Sequence, residues 1–305
     1  MFLYRNTFQN EDEIQALVQA AEKNYIDQVL KIANEISDFS HHIKFLTLAG
    51  PTCSGKTTTS YILEREFEKR NNTVKIISID DFYRDRSDIS DDKKPDYESI
   101  SAIDFPIFED CVKQILSGQT AMLPIFDFKT GTRSGFVPYV PNDHEIIIFE
   151  GIQAIYPEIV GTLPKDISKS IYISVDEDVT VYDTTFEKKE IRFFRRLVRD
   201  YLFRNASPSR TLDLWDGVVE NENKNIIPYG KKADYIINSF LAYELSVIKP
   251  FLLKTISYDM DKENERTLYN KIIKEFKNIP EIPSHFVPDD SVFREFIGPE
   301  KQNSI

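Results

Sequence analysis

Apolar residues recur along the chain in two rhythms. Over residues 11–38 they fall at helical spacing (Ile14, Leu17, Val18, Ala21, Tyr25, Val29, Ile32, Ala33, Ile36), with Glu, Asp, Lys and Gln on the other faces. That spacing predicts one or two amphipathic helices packed on a core, a partner-binding helix being the alternative. Short apolar runs follow at residues 43–49, 74–79, 121–128, 145–149, 171–175 and 234–237, and each reads as a strand. Pro124 breaks the third of these and marks it as short or as an edge. Between them, residues 56–69, 103–116, 187–203, 243–253 and 268–276 read as helices. In the first of these, Tyr61, Ile62 and Phe67 are available for burial, and Gly118 stops the second. The charged stretch 85–94 reads as a mobile loop, residues 129–135 as a turn, and His41 and His42 as surface residues. From Lys277 the chain is rich in proline, yet Phe286, Val292, Phe293 and Phe296 predict a tail that docks. Strands alternating with helices imply a three-layer α/β/α fold around a mostly parallel sheet. The expected division is a helical segment at 1–42, a core at 43–277 and an extended tail at 278–305.

One stretch carries chemistry on its own. Gly50-Pro51-Thr52-Cys53-Ser54-Gly55-Lys56-Thr57 satisfies the P-loop pattern G-x-x-x-x-G-K-[ST], between a predicted strand and a predicted helix, and Thr58 follows in the first helical turn. Backbone N–H groups of such a loop, aided by the positive end of the helix dipole, cradle phosphates. Lys56 then neutralises the β- and γ-phosphates and the Thr57 hydroxyl sits on Mg²⁺. The implied fold is that of a P-loop NTPase, and the implied ligands are a nucleoside triphosphate and Mg²⁺.

Ligands of open α/β sheets gather at the carboxyl ends of the strands. There the sequence places Asp80 and Asp81 after one run and Glu150 after another. An acid able to reach a substrate hydroxyl, and another near the P-loop to hold a metal ion or its waters, are what phosphoryl transfer uses. Arg192, Arg195, Arg196 and Arg199 form an i, i+3, i+4, i+7 stripe, with Arg204 and Arg210 beyond. Guanidinium forks match phosphate oxygens, so the stripe reads either as a closing lid over about 183–215 or as a face paired with Glu187, Glu190 and Asp200.

Composition narrows the setting. A formal charge of −12 disfavours nucleic acid and anionic membranes as partners. The chain is 41% hydrophobic and 29% charged, ordinary for a globular protein with a sizeable core. Two cysteines, one inside the P-loop, point away from disulfides and toward a reduced, cytoplasmic location. The start Met1-Phe2-Leu3-Tyr4-Arg5 lacks the apolar run of a secretory leader, and nothing approaches the roughly twenty apolar residues of a membrane span. Homo-oligomerisation is left open. GTPase and protein-kinase signatures are absent.

Several stretches, in order, resemble the phosphoribulokinase/uridine kinase family of P-loop kinases, and most of all its bacterial-type nucleoside kinase branch. They are Ile77–Arg84, Phe126–Arg133, Phe149–Ile152, Arg195–Arg204, Glu222–Pro228, Tyr243–Leu245 and Ser291–Gly298. The resemblance implies Asp80 as the base on a nucleoside 5′-hydroxyl and Glu150 as an acid near Mg²⁺. It implies Arg196 and Arg199 as lid arginines. For the acceptor it implies Tyr83, Glu98, Phe126, Asp127, Arg133 and Arg204, Glu98 lying where uridine-cytidine kinases hold the ribose with an Asp. Departures bear on specificity. Phe126 and Gly131 stand where those kinases read the base with a Tyr and a His, and Ala206 replaces an Arg. Lost hydrogen-bonding groups can change substrate selection by orders of magnitude. The expectation is an ATP-dependent kinase acting on a small-molecule acceptor, a nucleoside first. A same-fold kinase for another polyol or sugar phosphate and a catalytically decayed ATP-binding regulator are the alternatives.

Overall fold

The computed structural model describes residues 2–4, 8–38, 43–88, 99–142, 145–256 and 263–299. Its centre is β2 (Phe45–Ala49), in which every residue is buried, flanked by β6 (Glu145–Glu150) and β7 (Ser168–Ser174). With β3 (Thr73–Ser78) and β10 (Tyr235–Asn238) they form a five-stranded sheet in the order β10-β7-β2-β6-β3, every pair parallel. A parallel sheet buried on both faces requires near-continuous apolar strands, and Phe45-Leu-Thr-Leu-Ala49 and Ile146-Ile-Ile-Phe149 meet that demand. The parallel order brings the ends of β2, β3 and β6 to one rim. Gly50, Asp80 and Glu150 therefore meet there.

Alternate strand residues feed two cores, one per face. On one face Leu46 and Leu48 pack with the helices α1 (Glu11–Asp38), α2 (Lys56–Glu68), α5 (Lys188–Phe203), α8 (Glu244–Ile256) and α9 (Glu263–Glu275). On the other, Phe45 stacks on Phe149 at 6.0 Å, and Phe108 of α3 (Phe105–Leu116) meets Phe149 edge-on at 5.2 Å. The short α4 (Pro157–Thr162) completes that layer, with Ile159 and Leu163 buried.

Two smaller sheets and a helix were not foreseen from the pattern. β1 (Phe2–Tyr4) runs parallel to β8 (Val179–Val181), which pairs antiparallel with β9 (Thr184–Phe186). α6 (Pro208–Asn221), begun by the Ser207 cap and Pro208, continues through a π turn at Glu222–Ile226 into α7 (Ile227–Gly230). The interrupted run at Pro124 is β4 (Ala121–Asp127), paired antiparallel with β5 (Thr132–Tyr139) in a separate hairpin with an irregularity at Ile125/Phe126. The turn is therefore shorter than the expected 129–135, because β5 begins at Thr132.

Three further expectations need adjusting. Tyr61 is 59% exposed, since the buried stripe of α2 runs through Thr59, Ile62, Leu63, Glu66 and Phe67 and leaves position 61 outside. The 85–94 stretch begins with a short helical turn at Arg86–Asp88, and its remainder, like His41 and His42, lies outside the described residues. Residues 188–203, expected within a closing lid, are built into the core. Ile191, Phe193, Phe194, Leu197 and Val198 of α5 are all buried, so that helix is fixed by its own apolar face. The tail to residue 299 ends in α10 (Arg294–Ile297), and Val292, Phe293, Phe296 and Ile297 are buried. No helix among the described residues is long and apolar enough to cross a membrane.

Candidate functional site

The loop between β2 and α2 is shaped for close approach. A Cβ on Gly50 would lie 2.1 Å from the Ile173 carbonyl oxygen, so only glycine fits. Gly55 sits at φ +93°, a left-handed conformation that glycine adopts without strain, and a Cβ there would meet Val292 at 2.5 Å. Gly55 gives α2 no side-chain cap, which leaves first-turn N–H groups of the helix facing the loop. Lys56 Nζ folds onto the carbonyls of Gly50 (3.0 Å) and Pro51 (3.2 Å), and Thr57 is exposed. The Ser54 hydroxyl is buried without a hydrogen-bond partner. Unspent amides, an ammonium and an orphan hydroxyl fit a polyphosphate.

Two buried ion pairs brace this loop. Arg192 grips Glu222 through Nη1 (2.7 Å) and Nη2 (2.6 Å), while Glu222 Oε1 accepts from the Thr52 amide at 3.1 Å. Arg195, wholly buried, grips Glu244 (3.0 and 2.6 Å) and donates to the Cys53 carbonyl at 3.1 Å and to Ser239. The arginine stripe thus divides. Arg192 and Arg195 hold the P-loop from behind, whereas Arg196 (3.3 Å), Arg199 (2.7 Å) and the exposed Arg204 (3.6 Å) converge on Asp200. A capping box between Glu187 and Glu190 sets the start of the helix that carries them.

Asp80 opens a helical turn (Ile79–Phe82) capped by Ser78, whose Oγ accepts the Asp80 amide at 3.3 Å. The Tyr83 hydroxyl donates to Asp80 Oδ1 at 3.2 Å, and Gln153 Nε2 donates to that hydroxyl at 3.0 Å. Burial raises the Asp80 pKa above the usual carboxylate range, with Lys56 and the Tyr83 hydrogen bond opposing. Burial likewise pushes Glu150 up to about 7; Lys56 opposes, and the charges of Asp80 and Glu295 add to the push. Lys56, Asp80 and Glu150 therefore share one electrostatic neighbourhood at the strand ends. No group of three or more His, Cys, Asp or Glu among the described residues could hold a metal ion. The Thr57 hydroxyl and Glu150 are a donor set for Mg²⁺ only when phosphate oxygens and waters complete the shell, which is how Mg²⁺ is commonly bound.

On the β3 side, the hairpin walls the space before Asp80. Asp81 Oδ1 accepts the Phe126 amide at 3.2 Å, and Phe126 packs edge-on against Tyr83 (5.6 Å) and Phe128 (5.2 Å). Arg133 is committed to the scaffold: Nη2 donates to Asp104 (2.9 Å) and the Tyr83 carbonyl (3.2 Å), and its amide donates to Asp85 (2.7 Å). Asp127 accepts the Lys129 amide at 2.8 Å and shapes the hairpin turn. Both side chains thus take part in holding the hairpin, while Arg133 Nε is buried without a hydrogen-bond partner. Glu98 lies outside the described residues. On the other side of β2, a cavity of about 320 Å³ opens beside Pro51, Ser174, Asp176 and Asn223.

The roles of Glu222, Glu244, Ser239, Gln153 and Glu295 were not read from the sequence. Glu222 and Glu244 stand some 30 and 49 positions from their arginines, so no local pattern announces them. Gln153 follows three residues after Glu150 on the same strand end, a signal that position alone could have raised.

A parallel sheet with a P-loop after its central strand, and acids at the neighbouring strand ends, defines a nucleotide-binding P-loop phosphotransferase. Residues 45–246 match the family model described as the Phosphoribulokinase / Uridine kinase family. The chain belongs to that family. The uridine kinase of Lactobacillus helveticus is 31% identical over 193 residues, covering 62% of this chain and 83% of that one. The uridine kinase of Clostridium novyi is 31% identical over 193 residues, covering 62% and 84%. Among solved structures, a possible uridine kinase from Bacillus stearothermophilus is 18% identical with a TM-score of 0.46, covering 70% of this chain and 98% of that one.

Proposed function

We propose that this kinase transfers the γ-phosphoryl group of ATP, with Mg²⁺, to the 5′-hydroxyl of a nucleoside. The observation that carries the reading is the juxtaposition of Asp80 with Lys56 at the sheet rim, with an aromatic wall of Tyr83 and Phe126 beside the acid. Asp80 accepts the hydroxyl proton as attack develops, held at Oδ1 by the Tyr83 hydroxyl. Its raised pKa makes it a better proton acceptor than an ordinary carboxylate while Lys56 keeps it ionisable. Lys56 leaves its loop carbonyls to meet the transferring phosphoryl, and first-turn amides of α2 take the remaining phosphate oxygens. Mg²⁺, on Thr57 with Glu150 nearby, would neutralise charge developing between the β- and γ-phosphates. Arg196 and Arg199 are the arginines of α5 that stand clear of the two bracing pairs and can reach phosphate by exchanging Asp200 for it.

Phe126 and Gly131 lack the hydrogen-bonding groups with which uridine-cytidine kinases read the base, so pyrimidine preference is relaxed. ADP release is to be measured with MgATP over panels of purine and pyrimidine nucleosides, sugars and polyols. The reading expects nucleoside-dependent release. Release driven by a sugar or polyol alone assigns the acceptor elsewhere in the same chemistry, and no acceptor-dependent release defeats the kinase assignment.

A further inference from the structure

The segment beyond α9 reaches the phosphate cradle itself. Arg294, buried, ties its own segment together by donating to the carbonyls of Ser284 (3.1 Å), Val287, Pro288 (3.2 Å) and Gly298 (3.2 Å). Ser291 Oγ accepts the Phe293 amide at 3.0 Å and lies 3.2 Å from the Tyr243 hydroxyl, which donates to Glu22. Val292 covers Gly55. This anchoring leaves Glu295 pointing at the start of α2, its Oε2 3.1 Å from Thr58 Oγ1 and 3.5 Å from the Thr58 amide nitrogen.

Thr58 lies in the first turn of the helix whose amides form the anion cradle, so a carboxylate of the chain stands at a position suited to a phosphate oxygen. We propose that Glu295 is a built-in competitor for the phosphates of the donor, so that the C-terminal tail sets donor affinity by occupying the cradle until a polyphosphate displaces it. The inference rests on the loop being the donor site. A role as metal ligand fits the geometry less well, because Glu295 bonds Thr58 whereas the metal-binding hydroxyl of the P-loop pattern is that of Thr57, which is exposed. Two anions cannot share one hydroxyl donor and one amide, and at a separation of a few ångströms they repel. The tail lies beyond residue 246, where the family match ends.

The test measures binding of tripolyphosphate and of ATP, both without Mg²⁺ and without any acceptor, to the full chain and to Glu295→Gln. The glutamine keeps the shape and an oxygen acceptor and removes the charge. Binding should tighten by about fivefold to tenfold in Glu295→Gln, and the gain should shrink as salt is raised. Unchanged or weaker binding in the variant overturns the proposal while leaving the donor site intact. Absence of polyphosphate binding in both proteins defeats the donor-site reading, and the tail proposal with it. Amide exchange on the unaltered protein gives a second readout that needs no variant. ATP should reduce protection at Phe296, Ile297 and Gly298, whose amides now bond to Phe293 and Arg294. Equal or greater protection with nucleotide bound overturns displacement of the tail.

Discussion

Replacing Arg195 by alanine would strand Glu244 as an ionised side chain, 1% exposed, in the core behind the P-loop. The guanidinium makes five contacts within 3.1 Å: two to Glu244, two to Ser239 and one to the Cys53 carbonyl. Its carbon also lies 4.8 Å from the Phe296 ring centroid, so the same group touches loop, helix and tail. Breaking a buried pair by removing one partner costs about 3–5 kcal/mol, because the remaining charge loses both partner and water. That is a fifth or more of the roughly 5–15 kcal/mol that holds a domain folded. Arg204 provides the contrast. Its side chain is 60% exposed and its ion pair to Asp200 spans 3.6 Å, so Arg204→Ala should change stability by no more than about 0.5 kcal/mol. Urea unfolding followed by circular dichroism, without nucleotide, compares the two. Arg195→Met combined with Glu244→Gln should recover much of the loss, since removing both buried charges is often close to neutral. If Arg195→Ala keeps its stability within about 1 kcal/mol while turnover collapses, the residue acts on phosphates and the bracing argument is wrong.

Three further outcomes follow from the geometry. Gly55→Ala places a Cβ against Val292 at φ +93° and should lower the melting temperature and abolish ATP binding; binding as in the parent would contradict the tight approach of the tail. Glu150 takes up its proton near pH 7 in the fold against an ordinary value of 4.5, so between those values the folded state binds more protons and stability falls as pH rises. Glu150→Gln, in EDTA, should therefore be more stabilising at pH 8 than at pH 5, by roughly 3 kcal/mol at most, and a difference of opposite sign in urea titrations would refute the burial cause. Tyr83→Phe removes a hydrogen bond that lowers the Asp80 pKa, so the acid limb of kcat/KM should move to higher pH; a limb that stays or moves down would dissociate Tyr83 from the base.

The donor half of the site was legible because its chemistry is local. Gly50 through Thr58 lie in one unbroken stretch, and the rim position of Asp80 and Glu150 follows from parallel strand order. What escaped was set by long-range partners. Spacing showed that Arg192, Arg195, Arg196 and Arg199 share a helix face, but which of them meet carboxylates depended on Glu222 and Glu244 arriving from other elements. β5 was hidden because Thr132-Arg-Ser-Gly135 carries turn chemistry and the strand's outer face, with Phe136 and Val137, is exposed rather than alternating cleanly. Arg133 stood out from its place in a motif, but its pairing with Asp104 at 2.9 Å was visible only in the fold. Glu295, 237 positions from Thr58, could be found only in three dimensions.

The most direct test pairs Asp80→Asn with the unaltered chain in a coupled assay of ADP release, alongside a separate measurement of ATP affinity. Asparagine keeps the shape of the side chain and cannot take the hydroxyl proton. The account predicts nucleoside-dependent ADP release from the unaltered chain, a fall of at least about a hundredfold in Asp80→Asn, and ATP binding within a few-fold of the parent. Equal turnover in Asp80→Asn would contradict it.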